Sequence, residues 1–173
     1  MVKRAYLVTG PESSGTRLMT RALIAAGCFG DAGHEQRLDG GIPDGTSPIV
    51  WRRSVPHKQR YPDLTRLVER LRTHEYVVQA VVTTRDWHAM LRSQVALGHT
   101  PDIGKARHRT RRAYLHIFKH LDALGVPYIV ASYESLVQRP RRALAAIAGE
   151  LGLPAPVVDV YDGNEKWFER VKA

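Results

Sequence analysis

The string GPESSGTRLMTRAL, Gly10 to Leu23, sets a glycine-bounded loop rich in hydroxyls directly before a stretch of helical periodicity. That order suits an anion. Backbone N–H groups of such a loop and of a following helix N-terminus converge on one centre, and the helix dipole adds partial positive charge there. Ser13, Ser14 and Thr16 bring hydroxyl donors to the same place. A second pair of candidates lies in VVTTRDWHAMLRS, where Arg85 closes an apolar run and Ser93 follows eight residues later, one to two helical turns on. A guanidinium at a strand end and a hydroxyl on the adjoining helix can meet on one phosphate. For proton removal the first candidate is His57, since an imidazole with an ordinary pKa of about 6.5 suits a base at neutral pH; His34 and Glu35 come next. The eight histidines and single cysteine form no HExxH or Cys/His spacing, so no metal site is expected.

The loop nearly fulfils GxxxxGK[ST], and GPESSG is the wording of Walker A loops in recombinase-type ATPases. Thr16, however, stands where that pattern needs Lys, and Arg17 where it needs the Mg²⁺-binding hydroxyl. VVTTR also ends on Arg85, with Asp86 only afterwards, where a metal-binding Asp would close the strand. These departures argue against ATP or GTP hydrolysis and leave phosphate-ester binding intact. A P-loop kinase of a small metabolite or nucleotide is therefore a rival reading that Mg²⁺-dependent ATP turnover would favour.

Charge narrows the partners. Twenty-six Lys and Arg against 17 Asp and Glu give +9 at pH 7 over 173 residues. Basic residues crowd Arg52 to Arg60 and Lys105 to Arg112, which suits a polyphosphorylated ligand, an anionic lipid surface or a nucleic acid. No recognised nucleic-acid motif and no aromatic platform accompanies them, so a basic nucleic-acid-binding module is the second rival and no specific nucleic acid is expected. Apolar residues make up 43%, and no apolar run approaches the roughly 18 to 20 residues that cross a bilayer, so no membrane partner is expected. MVKRAYLVTG reads as a first strand, its apolar stretch being too short for a secretory leader. Cys28, without a disulfide partner, reads as a small buried hydrophobe in a reducing, cytoplasmic setting.

The elements that must position these groups alternate along the chain. Short runs rich in Val, Ile or Tyr predict strands at Arg4 to Thr9, Pro48 to Arg53, Glu75 to Thr84 and Pro127 to Ser132. Apolar spacings of three and four predict helices at Thr16 to Ala26, Asp63 to Arg72, Trp87 to Leu97, Lys105 to Leu124 and Arg141 to Leu151, with Gly27, Gly125 and Gly152 as stops. This is the rhythm of a single α/β domain with a parallel sheet of four or five strands flanked by helices. Residues 29–47, Gly-rich and long for a connection, read as a lid or substrate loop.

Ser14, Gly15 and Thr16 resemble the 5′-phosphosulfate loop, approximately PxSGTT with a basic x, of sulfotransferases that use 3′-phosphoadenosine 5′-phosphosulfate (PAPS). Arg85 and Ser93 have the spacing of that family's 3′-phosphate pair. The segment SYESLVQRPRRALAAIAGELGLP, Ser132 to Pro154, is similar nearly position for position to its YEDL, Pro, helix and LGLP segment, with Tyr133 matching a tyrosine that contacts adenine. SPIVWRRSVP, Ser47 to Pro56, aligns with its SPxxxKxHxP strand, which leads toward the acceptor. There Arg52 replaces the Lys and Ser54 replaces the His that commonly acts as base, while His57 follows three residues later.

The resemblance spans about Leu7 to Pro154 and implies a P-loop-like sulfotransferase domain. It implies sulfuryl transfer from PAPS to a hydroxyl or amine of a small-molecule or glycan acceptor, with 3′-phosphoadenosine 5′-phosphate (PAP) as product and no metal required. It assigns Pro11, Glu12, Ser13, Ser14, Gly15, Thr16 and Arg17 to the 5′ side, Arg85 and Ser93 to the 3′-phosphate and Tyr133 to the adenine. His57, Arg52, Arg17 and His34 are the catalytic candidates. The family's loop Lys or Arg is Ser13 here, a loss that Arg17, Arg52 or Arg53 would have to make good. GNEKWFERVKA at the C-terminal end lacks the family's RKGxxGxW wording.

Overall fold

The computed structural model describes residues 2–36, 41–42, 48–57 and 60–168. Four strands form one all-parallel sheet in the order β2-β1-β3-β4: β1 Lys3–Pro11, β2 Ile49–Val55, β3 Tyr76–Thr84 and β4 Tyr128–Ser132. The helices are α1 Thr16–Ala25, α2 Leu64–Thr73, α3 Trp87–Ala96, α4 Ile103–Ala123, α5 Tyr133–Gln138 and α6 Pro140–Leu151. The chain is thus a single α/β domain, with the predicted strands and helices in place to within a residue or two at most ends.

Alternate residues of the central strands feed two cores. Ala5 and Leu7 of β1 join Trp51, Val78, Val82, Leu67, Leu71, Ile117 and Leu121 under α2 and α4. Tyr6 and Val8 join Met19, Leu23, Val81, Leu144 and Leu151 under α1 and α6. Helices on both faces explain why the strands read as nearly continuous apolar runs. Cys28 lies in the second core, 4% exposed, and burial pushes its thiol up to about 12. No described helix is long and apolar enough to cross a membrane.

Two differences from the sequence reading bear on the site. β1 runs two residues further than expected, because Gly10 and Pro11 still pair with Ser54 and Val55. Tyr133–Gln138 forms a separate short helix before α6, capped by Ser132, whose hydroxyl accepts from the Ser135 N–H. Pro140 at the first turn of α6 forces the break: Arg139 before it sits at φ −139°, outside the helical region.

The described part of the expected lid follows the outer edge of β2. Phe29 accepts from the Val50 N–H at 2.9 Å, Gln36 Oε1 from the Arg52 N–H at 2.8 Å, and Glu35 Oε1 from the Ser54 N–H at 2.9 Å. One carbonyl and two side chains thereby serve every second N–H of this edge. Residues 37–40 and 43–47 of the expected lid, and 58–59 of the first basic cluster, lie outside the described residues.

Gly10 sits where β1 meets the loop, wedged against β3. A Cβ there would meet the Thr83 carbonyl oxygen at 2.8 Å and crowd the hydroxyls of Thr83 and Ser14. Gly10→Ala is therefore expected to cost about 1–3 kcal/mol, the usual range for overpacking, read as a lower urea midpoint with an unchanged slope.

Candidate active site

At the C-terminal ends of β1, β2 and β3 the structure opens a cleft of about 770 Å³, where ligands of open parallel sheets gather. Its wall includes Glu12, Ser13, Gly15, Thr16 and Arg17 of the loop and Arg52, Arg53 and Ser54 of β2. His57, Arg85 and Ser93 line it too, with Gly33, His34, Glu35, Leu97 and His99. The sequence candidates from four separate segments thus face one space. Pro11 and Ser14 do not line it: the Ser14 hydroxyl is fully buried, 2.6 Å from Thr83 Oγ1.

The loop is a left-handed bend. Ser13 lies at φ 68° and Gly15 at φ 102°, and the Ser14 N–H donates to the Pro11 carbonyl at 3.1 Å. A side chain at Gly15 would collide with the Tyr133 ring, so glycine is needed there for space as well as for backbone angle. Helices α2, α3, α4 and α5 each have an Asp or Ser side chain accepting from their first turn. α1, like α6, has none: Gly15 is its N-cap, and its first turn carries no acid. Among the described residues no side-chain cap meets its leading N–H groups, and Gly15, Thr16 and Arg17 at this end line the cleft.

Four guanidinium groups, Arg17, Arg52, Arg53 and Arg85, share the cleft with two carboxylates, Glu12 and Glu35. Both carboxylates are neutralised by neighbours. Glu12 meets Arg109 Nη2 at 3.3 Å and His99 Nδ1 at 4.0 Å, and Glu35 meets Arg53 Nη1 at 3.5 Å and His57 Nδ1 at 3.1 Å. Burial draws the Arg52 guanidinium below its ordinary value; Glu35 and Asp31 oppose the shift and the adjacent Arg17 adds to it. Arg52 donates to the Gly33 carbonyl at 3.3 Å and Arg53 to that of Gln36 at 2.7 Å. Among the described residues Ser13 Oγ, Arg52 Nε and Arg53 Nε are buried polar atoms of the cleft wall with no partner. Unmatched polar atoms this dense on one wall are the mark of a surface completed by ligand or water.

Glu35 and His57, read from sequence as rival bases, form one unit. The Glu35 side chain is 7% exposed and that of His57 37%, so the carboxylate is buried behind an accessible imidazole. His34 lines the cleft as well, but with its side chain 89% exposed and paired with Asp31. His99, which the sequence reading passed over, also lines the cleft, beside Glu12.

Arg85 is braced on every side of its fork. Nε donates to Asn164 Oδ1 at 2.6 Å, Nη1 to the Ser13 carbonyl at 3.1 Å and Nη2 to the Gly163 carbonyl at 2.8 Å. The Tyr133 ring lies 4.6 Å beneath it. Burial lowers the Arg85 proton affinity, while Tyr133, Glu134, Asp162 and Asp86 pull it back. Tyr133 does not line the cleft: its hydroxyl donates to the Tyr161 carbonyl and accepts from the Gly163 N–H. Asn164 closes the network by donating to Glu134 Oε1 at 3.1 Å. The sequence reading missed this strap, for which the turn residues Asp162, Gly163 and Asn164 are the available signal; residues 169–173 beyond it lie outside the described residues.

No group of His, Cys, Asp and Glu among the described residues is arranged to hold a metal. No family model and no curated protein sequence matches the chain. Among solved structures it resembles the sulfotransferase domain from the Synechococcus PCC 7002 olefin synthase, with a TM-score of 0.58 and 16% identity over 94% of this chain and 75% of that one. The fold is therefore sulfotransferase-like, of the P-loop-like α/β kind.

Asn164→Ala removes one partner each from Arg85 Nε and Glu134 Oε1. It should lower stability by about 1–3 kcal/mol, the cost of leaving buried polar groups short, measured by chemical denaturation.

Proposed function

We propose that the protein is a PAPS-dependent sulfotransferase acting on a hydroxyl or amine of a small-molecule or glycan acceptor. The observation that carries the reading is the convergence in one cleft, on a sulfotransferase-like fold, of the loop and the α1 N-terminus, which has no side-chain cap, with Arg85 and Ser93. The orphaned donors on the wall fit a polyanionic donor substrate.

In this reading the first turn of α1, Thr16 and Arg17 bind the 5′-phosphosulfate, and Arg17 with Arg52 supplies the charge that the family places on its loop Lys. Arg85 and Ser93 take the 3′-phosphate, with Tyr133 holding Arg85 from behind instead of touching the adenine. The donor brings an activated sulfuryl group on a phosphate leaving group. Donors aimed at the oxygen where charge builds contribute most to such transfers, and those of the α1 turn are fixed before substrate arrives. His57 Nδ1 faces Glu35, so Nε2 is left to receive the acceptor's proton, and the buried carboxylate steadies the imidazolium that forms.

PAP should raise the melting temperature without Mg²⁺ and by more than ADP, because ADP lacks the 3′-phosphate; equal shifts, or a larger one from ATP with Mg²⁺, would remove the basis for the donor assignment. His57→Gln should lower the acceptor-dependent rate by about 100-fold or more with PAP affinity little changed, the scale of a lost general base. Glu35→Gln should lower it less, since it acts through His57. Full activity in His57→Gln together with loss in His34→Gln would move the base to the outer loop.

A further inference from the structure

The two edges of the sheet are treated differently. Along β2 the outward N–H groups of Val50, Arg52 and Ser54 are each met by residues 29–36. At the other edge β4 pairs only with β3. The Pro127 carbonyl receives the Ala80 N–H, and with Ala80 opposite Tyr128 the parallel register turns Ile129 and Ala131 toward β3. The backbone groups of Tyr128 and Val130 and the Ser132 N–H therefore face outward, and no described residue is seen to hydrogen-bond to them, while the Ser132 carbonyl opens α5. Natural edges are usually protected by a proline, a lysine or a bulge. Tyr128–Ser132, YIVAS, has none of these, and Val130 is 53% exposed.

Beside this edge lies a second hollow, of about 460 Å³, between β4 and the helices α5 and α6. Ala143, Ala146 and Ile147 give it an apolar floor, Arg139 and Arg142 stand on its wall, and no carboxylate lines it. On the opposite face of β4 the Tyr128 ring packs against Phe118 at 5.3 Å, offering a second apolar shelf. A strand laid here would send alternate side chains to the hollow and to the shelf. A second copy of this chain would bring its own Arg139 and Arg142 onto the same like-charged hollow, which disfavours self-pairing.

We propose that the β4 edge is a docking site for an extended acidic segment of a partner protein. That segment adds as a fifth strand, its carboxylates facing Arg139 and Arg142 and its aliphatic side chains facing Tyr128 and Phe118. Main-chain hydrogen bonds give the affinity and the two side-chain faces give the selectivity. This site is separate from the cleft and does not depend on the donor reading.

A fluorescein-labelled octapeptide of alternating glutamate and valine tests it by anisotropy, with a lysine–valine octapeptide as control and backbone amide exchange as the map. The acidic octapeptide is expected to bind and to slow exchange at Tyr128, Val130 and Ser132. Val130→Pro deletes one outward donor at a position where an edge strand tolerates proline, and should weaken binding about tenfold or more. Arg139→Glu with Arg142→Glu should do the same with an unchanged melting temperature, and carries the test alone should Val130→Pro fold poorly. Absence of binding, equal binding of the lysine peptide, or indifference to these substitutions overturns the proposal. Protection of the same amides that rises with protein concentration in the absence of peptide overturns it in favour of a second copy.

Discussion

The bend from Pro11 to Thr16 holds a non-glycine residue, Ser13, in the left-handed region, a conformation that costs energy unless the surroundings fix it. Three outside groups fix it. Gln94 Nε2 on α3 donates to the Glu12 carbonyl at 2.8 Å, Arg85 Nη1 to the Ser13 carbonyl at 3.1 Å, and Thr83 Oγ1 lies 2.6 Å from Ser14 Oγ. Each comes from β3 or from the segment following it, so the third strand and its helix hold the loop that the first strand delivers. Every other feature of the cleft is placed relative to this bend: Gly15 seats on Tyr133, α1 starts without a side-chain cap, and Arg17 falls in the first helical turn.

The second constraint is charge in a confined space. Arg52 and Arg53 sit 6% and 8% exposed on a strand buried along its whole length, where like charges repel more strongly than in water. Glu35 answers this from a segment some twenty residues earlier, reaching Arg53 and His57 while also accepting the Ser54 N–H. One carboxylate therefore secures the sheet edge, tempers the arginines and orients the imidazole. Glu12 plays the matching part in the loop with Arg109, whose Nη1 also reaches the His99 carbonyl. Glu12 within the bend is balanced from α4, outside the bend itself.

Much of the fold was legible because its signals are local. Apolar runs bounded by turn residues marked the strands, and spacings of three and four marked the helices. Boundaries slipped where tertiary pairing overrode local wording: Gly10 and Pro11 read as loop, yet β2 was there to pair with them. Of the site, residue types were legible and partnerships were not. Arg85 reads as a free anion ligand in sequence, but three of its N–H directions are taken by Ser13, Gly163 and Asn164, which are remote along the chain. Tyr133 reads as a ring open to adenine, and α5, a helix that periodicity did not reveal, turns it behind the wall. Glu35 and His57 read as competitors because nothing in their 22-residue separation says that one edge brings them together.

Arg85 also ties the loop to the turn at Gly163 and Asn164. A guanidinium offers five N–H donors in a fixed plane, and here three directions of that plane are committed to protein, leaving two hydrogens for anything in the cleft. A ligand that used them would gain a donor already immobilised, with its side-chain entropy lost at folding and not at binding. The same ligand would feel any loosening of Asn164 or Gly163, because the strap sets the angle of the fork. A lysine at position 85 would supply the charge and none of this geometry, since its ammonium cannot span the Ser13 carbonyl, the Gly163 carbonyl and Asn164 while still facing the cleft. The shape of the cleft therefore depends on a contact between the first loop and the turn at Gly163 and Asn164, which no single segment of the sequence carries.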